Sequence, residues 1–146
     1  IVNCSDVGIY LNRAQDTVVD HNTLYATAGI DVRFPTSSAT LRNNALTSAI
    51  RNRDGGTSTQ SGNLASVALA TMQAWFLDPA QGDFRALDVA TLVDQGVGGT
   101  AVIDDYCGDD RDDGLNDIGA VEYDGEADCD TRPDAPASVI LADGFE

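Results

Sequence analysis

"TVVDHNTLY", Thr17 to Tyr25, sets polar Asn22 between apolar Val18–Val19 and Leu24–Tyr25. Twenty-two residues later "ATLRNNALT", Ala39 to Thr47, repeats the arrangement with Asn44 in the place of Asn22. A second landmark keeps nearly the same interval. "GIYLNR" (Gly8–Arg13), "GIDVRF" (Gly29–Phe34) and "AIRNRD" (Ala49–Asp54) follow one another at steps of 21 and 20 residues. Asn63 in "SGNLA" extends the asparagine series by a step of 19. Two landmarks with one period mark an internal repeat. A unit of roughly 20 residues holds two or three short strands and their turns. The spacing therefore predicts an all-β chain folded as a parallel β-helix of about three coils, with a C-terminal capping segment and an irregular acidic tail.

In such a stack equivalent residues lie about 4.8 Å apart, so like sits on like. Ile9, Ile30 and Ile50 are expected to point inward as one ladder, with Leu11, Val32 and Asn52 as a second. Asn22, Asn44 and Asn63 are expected to form an asparagine ladder. A buried amide is costly when unpaired, and stacking gives each one a partner. Outward rows then hold Tyr10, Asp31 and Arg51, and beside them Asn12, Arg33 and Arg53, with Asp54 at the following turn. Opposite charges on neighbouring strands suit such rows, Asp31 with Arg51 and Asp20 with Arg42. Tyr10, Asp31, Arg33, Arg51, Arg53 and Asp54 are the mixed constellation that could contact a glycan, its arginines holding an acidic sugar.

The chain has 146 residues, 42% of them apolar, enough for a sizeable core. Its net charge is −16, and all eight bases are arginine. That balance argues against nucleic acid, which needs a basic face. No run reaches the roughly 18 apolar residues of a membrane span. The chain begins "IVNC", already strand-like, which reads as a processed chain or the later piece of a longer one. The texture divides at residues 1–65, the coils; 66–123, a cap packed on them; and 124–146, a linker and strand-like tail. Within the cap, Ser66 is placed to cap a short helix running to Gln73. "WFLDP" and "GDFRAL" read as strands or loops, and Trp75, Phe76 and Phe84 as core plugs.

"HNTLY" and "RNNAL", followed by "GNL", "WFLDP", "GDFRAL", "VDQG" and "DIGAVEY", resemble the last coils of secreted bacterial right-handed parallel β-helix proteins, the polysaccharide-lyase-like and surface families. The resemblance covers Gly8 to Tyr123. It implies an extracellular or cell-surface location. It also implies a structural ion pair that joins Arg111 to Asp117 or Glu122. A disulfide between Cys107 and Cys129 fits a secreted, loop-rich tail, with pairing to Cys4 as the open alternative. Asp109, Asp110, Asp112, Asp113 and Asp117 are candidate calcium ligands, although the order of an EF-hand loop is absent; no other cofactor is indicated. His21 reads as a turn residue rather than a base.

These residues weigh against an enzyme. The expected function is a non-catalytic C-terminal portion of a secreted or surface β-helix protein, with a structural, assembly or glycan-contact role. The alternative is a polysaccharide lyase or glycoside hydrolase whose active site lies largely on upstream coils. The expected partners are upstream coils of a parent polypeptide, or another subunit, at the N-terminal edge. A polysaccharide is a further candidate partner, with "SVILADGF" (Ser138–Phe145) as a candidate donated strand.

Overall fold

A computed structural model describes residues 1–111 and 115–123. Strands β1 (Ile9–Asn12), β2 (Thr17–Asp20) and β3 (Thr23–Leu24) make a first layer. β4 (Ile30–Arg33), β5 (Ser38–Arg42) and β6 (Ala45–Leu46) make a second, and β7 (Ile50–Arg53) and β8 (Thr57–Ser61) a third. Helix α1 (Leu69–Trp75), an antiparallel pair β9 (Phe76–Asp78) and β10 (Asp83–Ala86), and helix α2 (Val89–Leu92) follow. The layers pair in parallel as three separate sheets, β1-β4-β7, β2-β5-β8 and β3-β6.

The all-β, right-handed parallel β-helix expected from the repeat and the resemblance is corrected here. The fold is mixed α/β: small open parallel sheets, none closed on itself, are combined with two helices and an antiparallel pair. The chain is not a pure solenoid, and the reason lies in its third layer. Asn52 is in register with Val32, and Ser58 and Gln60 with Ala39 and Leu41. Polar residues thus end these three apolar ladders after two layers, while Ile50 carries the Ile9–Ile30 ladder into the third. Ser58 Oγ donates to Asn52 Oδ1 at 2.9 Å, and Gln60 Nε2 to Ser58 Oγ at 3.1 Å, which closes the stack with a polar floor. A further apolar layer has little besides Ile50 to pack on, so the chain leaves the repeat.

Within the layers the register follows the spacing of the landmarks. Ile9 aligns with Ile30 and Ile30 with Ile50. Ile30, Val32, Leu41, Leu24 and Leu46 are fully buried between the sheets. Each such side chain contributes about 1.5–3 kcal/mol. The corners repeat as well. Arg13, Phe34 and Asp54 follow β1, β4 and β7, and all have positive φ, 55°, 76° and 49°. His21, Asn43 and Gly62 take the same left-handed conformation at the next corner, at 55°, 55° and 63°. At Gly62 a Cβ would stand 2.3 Å from Asn43 Oδ1, so glycine is required there by contact as well as by φ.

A second core lies outside β3-β6. Met72, Trp75, Phe76, Phe84, Leu92 and Ile118 pack there against Tyr25 and Ala45. Phe76 and Phe84 meet edge to face, with ring centroids 5.4 Å apart. α1 starts later than Ser66 would set it. Its N-cap is Ala68, with no side-chain cap, while Ser66 sits at φ 59° in the turn before it. Among the described residues no disulfide joins two cysteines. Cys4 is a free thiol, and Cys129, the expected partner of Cys107, lies outside them. Asp112, Asp113 and residues 124–146, which include "SVILADGF", also lie outside. No described helix is long and apolar enough to cross a membrane.

Candidate functional site: an arginine face on the first sheet

Parallel pairing of β1, β4 and β7 puts Tyr10, Asp31 and Arg51 in one outward row and Asn12, Arg33 and Arg53 in the next. Asp31 is the organiser of this face. Its side chain is 0% exposed, yet it lies on the outer side of the sheet, because two arginines cover it. Arg51 Nε donates to Oδ1 at 2.6 Å, and Arg53 Nη1 to Oδ2 at 2.7 Å. Burial alone would raise the Asp31 carboxyl. The hydrogen bonds from Arg53 and Arg51 outweigh it and hold the group below the usual carboxylate range.

The arginines themselves stay in water. Arg51 and Arg53 are 45% and 44% exposed, and Arg33 33%. Arg33 Nε bonds Asp54, and its Nη1 donates to the Tyr10 hydroxyl at 3.0 Å. A guanidinium has five N–H donors. The bonds just described leave most of them facing solvent. Phe34 closes one end of the face. Arg33 lies 4.8 Å and Arg13 5.7 Å from its ring centroid, on cation–π geometry. A bulky side chain at φ 76° is strained, by roughly 1–2 kcal/mol. Four arginines thus stand against two aspartates, a local excess of positive charge on a chain of net charge −16.

The asparagines form a continuous chain at the corner between β2-β5-β8 and β3-β6. Asn22 Nδ2 donates to Asn44 Oδ1 at 2.9 Å, and Asn44 Nδ2 to Asn63 Oδ1 at 2.8 Å. The backbone N–H groups of Asn22 and Asn44 bond the same two oxygens, both at 3.0 Å. The second amide hydrogens reach the carbonyls of Asp20, Val19 and Leu41. Both hydrogens of the Asn22 and Asn44 amides are taken up within the ladder and its backbone, which marks it as structural.

A recess of about 300 Å³ brings together Asp20, His21, Asp104, Asp105, Tyr106 and Arg111. Its residue types suit acid–base chemistry, but its bonds do not. His21 Nδ1 faces the Asp117 carbonyl at 3.0 Å, so that nitrogen carries the proton. Nε2 then accepts from Asn43 Nδ2 at 3.2 Å and Thr100 Oγ1 at 3.3 Å. Desolvation, with the nearby Arg111 charge, lowers the imidazole pKa to about 4. It is a neutral structural residue that anchors the segment around Asp117. Asp20 is occupied by Arg42, at 2.6 Å. Asp105 accepts the N–H groups of Cys107, Asp109 and Glu122. Arg111 is buried, donating through Nη1 to Glu122 and through Nη2 to the Gly119 carbonyl. Asp117 makes its hydrogen bonds elsewhere, accepting from the N–H groups of Asp94 at 2.8 Å and Tyr123 at 2.7 Å. Burial raises its pKa against those bonds.

Among the described residues no group of three or more His, Cys, Asp or Glu is arranged to hold a metal ion. Of the candidate calcium set, Asp109, Asp110 and Asp117 are described, and Asp117 is committed as above. Another recess, about 610 Å³, lies between Ile1–Asn3 and the β9–β10 turn. It is lined by Phe84, Tyr106, Thr23 and Gln81 and, apart from the Ile1 amine, by no ionised group. The corner geometry was missed in the sequence. Its signal is the spacing of His21, Asn43 and Gly62, each one residue before a ladder asparagine.

With a mixed α/β fold, the expected function as a C-terminal portion of a β-helix protein falls. So does its alternative, a lyase or hydrolase completed on upstream coils. No protein-family model, curated protein or solved structure matches the chain.

Proposed function

We propose that this chain is a binding module that takes a carboxylate-bearing saccharide on its arginine face. The observation that carries this reading is the arrangement of Arg51 and Arg53. They are fixed at one end by the buried Asp31 carboxylate and open to water at the other. A guanidinium matches a carboxylate bidentately, and one already ordered loses little entropy on binding. Tyr10 and Phe34 flank the cations and offer ring surface to the C–H face of a sugar. The net charge of −16 selects against ligands of high charge density, since the whole-molecule field repels them. An isolated carboxylate on an otherwise neutral saccharide meets the local excess of positive charge without that penalty.

Calorimetric titration with a galactose oligomer ending in a single galacturonate and with the neutral galactose oligomer of the same length tests this. The acidic oligomer is expected to bind and the neutral one to bind at least tenfold more weakly. A charge-assisted hydrogen bond contributes about 1.5–3 kcal/mol. Arg33→Gln, which leaves both Asp31 bonds in place, should weaken the acidic ligand by a similar factor. Equal affinity for both oligomers, or an unchanged affinity in Arg33→Gln, overturns the assignment.

A further inference from the structure

We infer that two copies of this chain join edge to edge through β1, antiparallel across a two-fold axis at Tyr10. β1 ends its sheet, and among the described residues nothing pairs with its outer side. The Ile9 N–H donates to the Gly29 carbonyl, toward β4. Alternation along a strand then turns the N–H and C=O of Tyr10 and Asn12 toward the open edge. The edge carries no proline or lysine to block pairing. The third sheet is different: there Val2 bridges Tyr25, with Tyr25 N–H donating to the Ile1 carbonyl at 2.9 Å.

The two ends of the stack differ in polarity, and this decides the occupant. At the β1 end the inward residues are Ile9 and Leu11, both only half-buried, over fully buried Ile30 and Val32. At the β7–β8 end Ile50 is followed by Asn52, Ser58 and Gln60, the last three linked by hydrogen bonds. Head-to-tail stacking would match Ile9 with Ile50 but set apolar Leu11 on Asn52 and Val19 on Gln60. Head-to-head pairing sets apolar on apolar. A two-fold contact is also self-complementary in register. With Tyr10 opposite itself, the two Tyr10 residues exchange both backbone hydrogen bonds. Ile9 then faces Leu11 of the second copy on the inner side, and the reverse. The joined sheet is six strands wide, with both arginine faces on the same side. Their β7 strands stand about 24 Å apart, five strand spacings. Such a surface is bivalent. That consequence rests on the saccharide reading, but the pairing itself does not.

Light scattering on the full chain over a range of concentrations tests the pairing. The expected mass at high concentration is twice 15.3 kDa. Because each copy carries −16, the dimer should strengthen as salt rises to about 0.5 M, whereas saccharide binding to the arginines should weaken. Asn12→Pro removes an N–H that points to the open edge and leaves Tyr10 in place, so the chain should fold, by circular dichroism, and remain monomeric. Tyr10→Cys should oxidise to a cross-linked dimer faster than Val18→Cys, which lies off the axis. A monomeric wild type at every salt and concentration, an Asn12→Pro dimer, or equal cross-linking at both positions overturns the inference. Loss of the dimer with retained binding of the singly acidic oligomer would leave the saccharide reading standing; the reverse would leave the dimer.

Discussion

Replacing both Arg51 and Arg53 by alanine is the sharpest test of how the arginine face is built. In the wild type the Asp31 carboxylate is sealed from water by these two side chains and bonded to each at 2.6 and 2.7 Å. Either single replacement leaves the other arginine in place. A hydrogen bond to a charged group is worth about 1.5–3 kcal/mol. Half-exposed arginines earn less than that, so about 1 kcal/mol is expected for each single variant. The double variant differs in kind, because it leaves a carboxylate with no cation. Orphaning a buried charge costs about 3–5 kcal/mol. Water can enter where the arginines were, so we take the low end, about 3 kcal/mol. The two losses should therefore exceed additivity by about 1 kcal/mol, as expected for groups sharing one partner. Adding Asp31→Asn to the double variant removes the orphaned charge and should recover most of the excess. Urea unfolding with an unchanged m-value reads all four chains. Strict additivity of the single variants, or no recovery with Asp31→Asn, would refute the role given to Asp31.

Asn44→Ala strips partners from Asn22 and Asn63 in a fully buried site, and a loss of about 2–3 kcal/mol in urea unfolding is expected. Gly62→Ala meets both a φ of 63° and a contact of 2.3 Å with Asn43 Oδ1; a melting temperature within a degree of wild type would contradict the corner geometry. His21 titrates near 4 in the folded chain against 6.5 when unfolded, so between those values the unfolded chain holds more protons. Its contribution is present above pH 6.5 and is lost as pH falls toward 4. It amounts to about 3 kcal/mol at one pKa unit per 1.36 kcal/mol. The raised pKa of Asp117 acts in the opposite direction at the acid end, since its folded form gains protons first. Stability measured across this window should fall less steeply in His21→Gln; parallel curves would refute the assignment.

Strand register was legible because it depends on side chains that repeat. Ile9, Ile30 and Ile50 fall in line because a one-residue slip would turn every apolar side chain outward. Fold class was not legible from the same spacing. The repeat says how layers stack, but not how many the sequence can bury. That limit is written in Asn52, Ser58 and Gln60, which occupy inward positions with polar groups. The helices beyond them follow no period and owe their place to packing of Met72 and Trp75 against Tyr25. At the arginine face the rows were readable as alternation along β4 and β7. The depth of Asp31 was not, since alternation marks it outward and only the two covering arginines bury it.

That buried aspartate also explains why a cationic face can persist on so acidic a chain. Two exposed arginines side by side repel each other and lose side-chain entropy when held together. A carboxylate between them removes both problems, provided that it is itself shielded from water. Parallel stacking supplies this geometry. Asp31 lies directly across from Arg51 and one row, two residues, along from Arg53, within reach of both. On an antiparallel hairpin of the same composition the tyrosine, aspartate and arginine of one row would not follow from three successive layers. The face is thus a product of the repeat: Tyr10, Asp31 and Arg51 occupy one row through three layers, and Asn12, Arg33 and Arg53 the next. Substituting Asp31 would leave the arginines present in sequence and lost as a site, because nothing else on the sheet holds their guanidinium groups together.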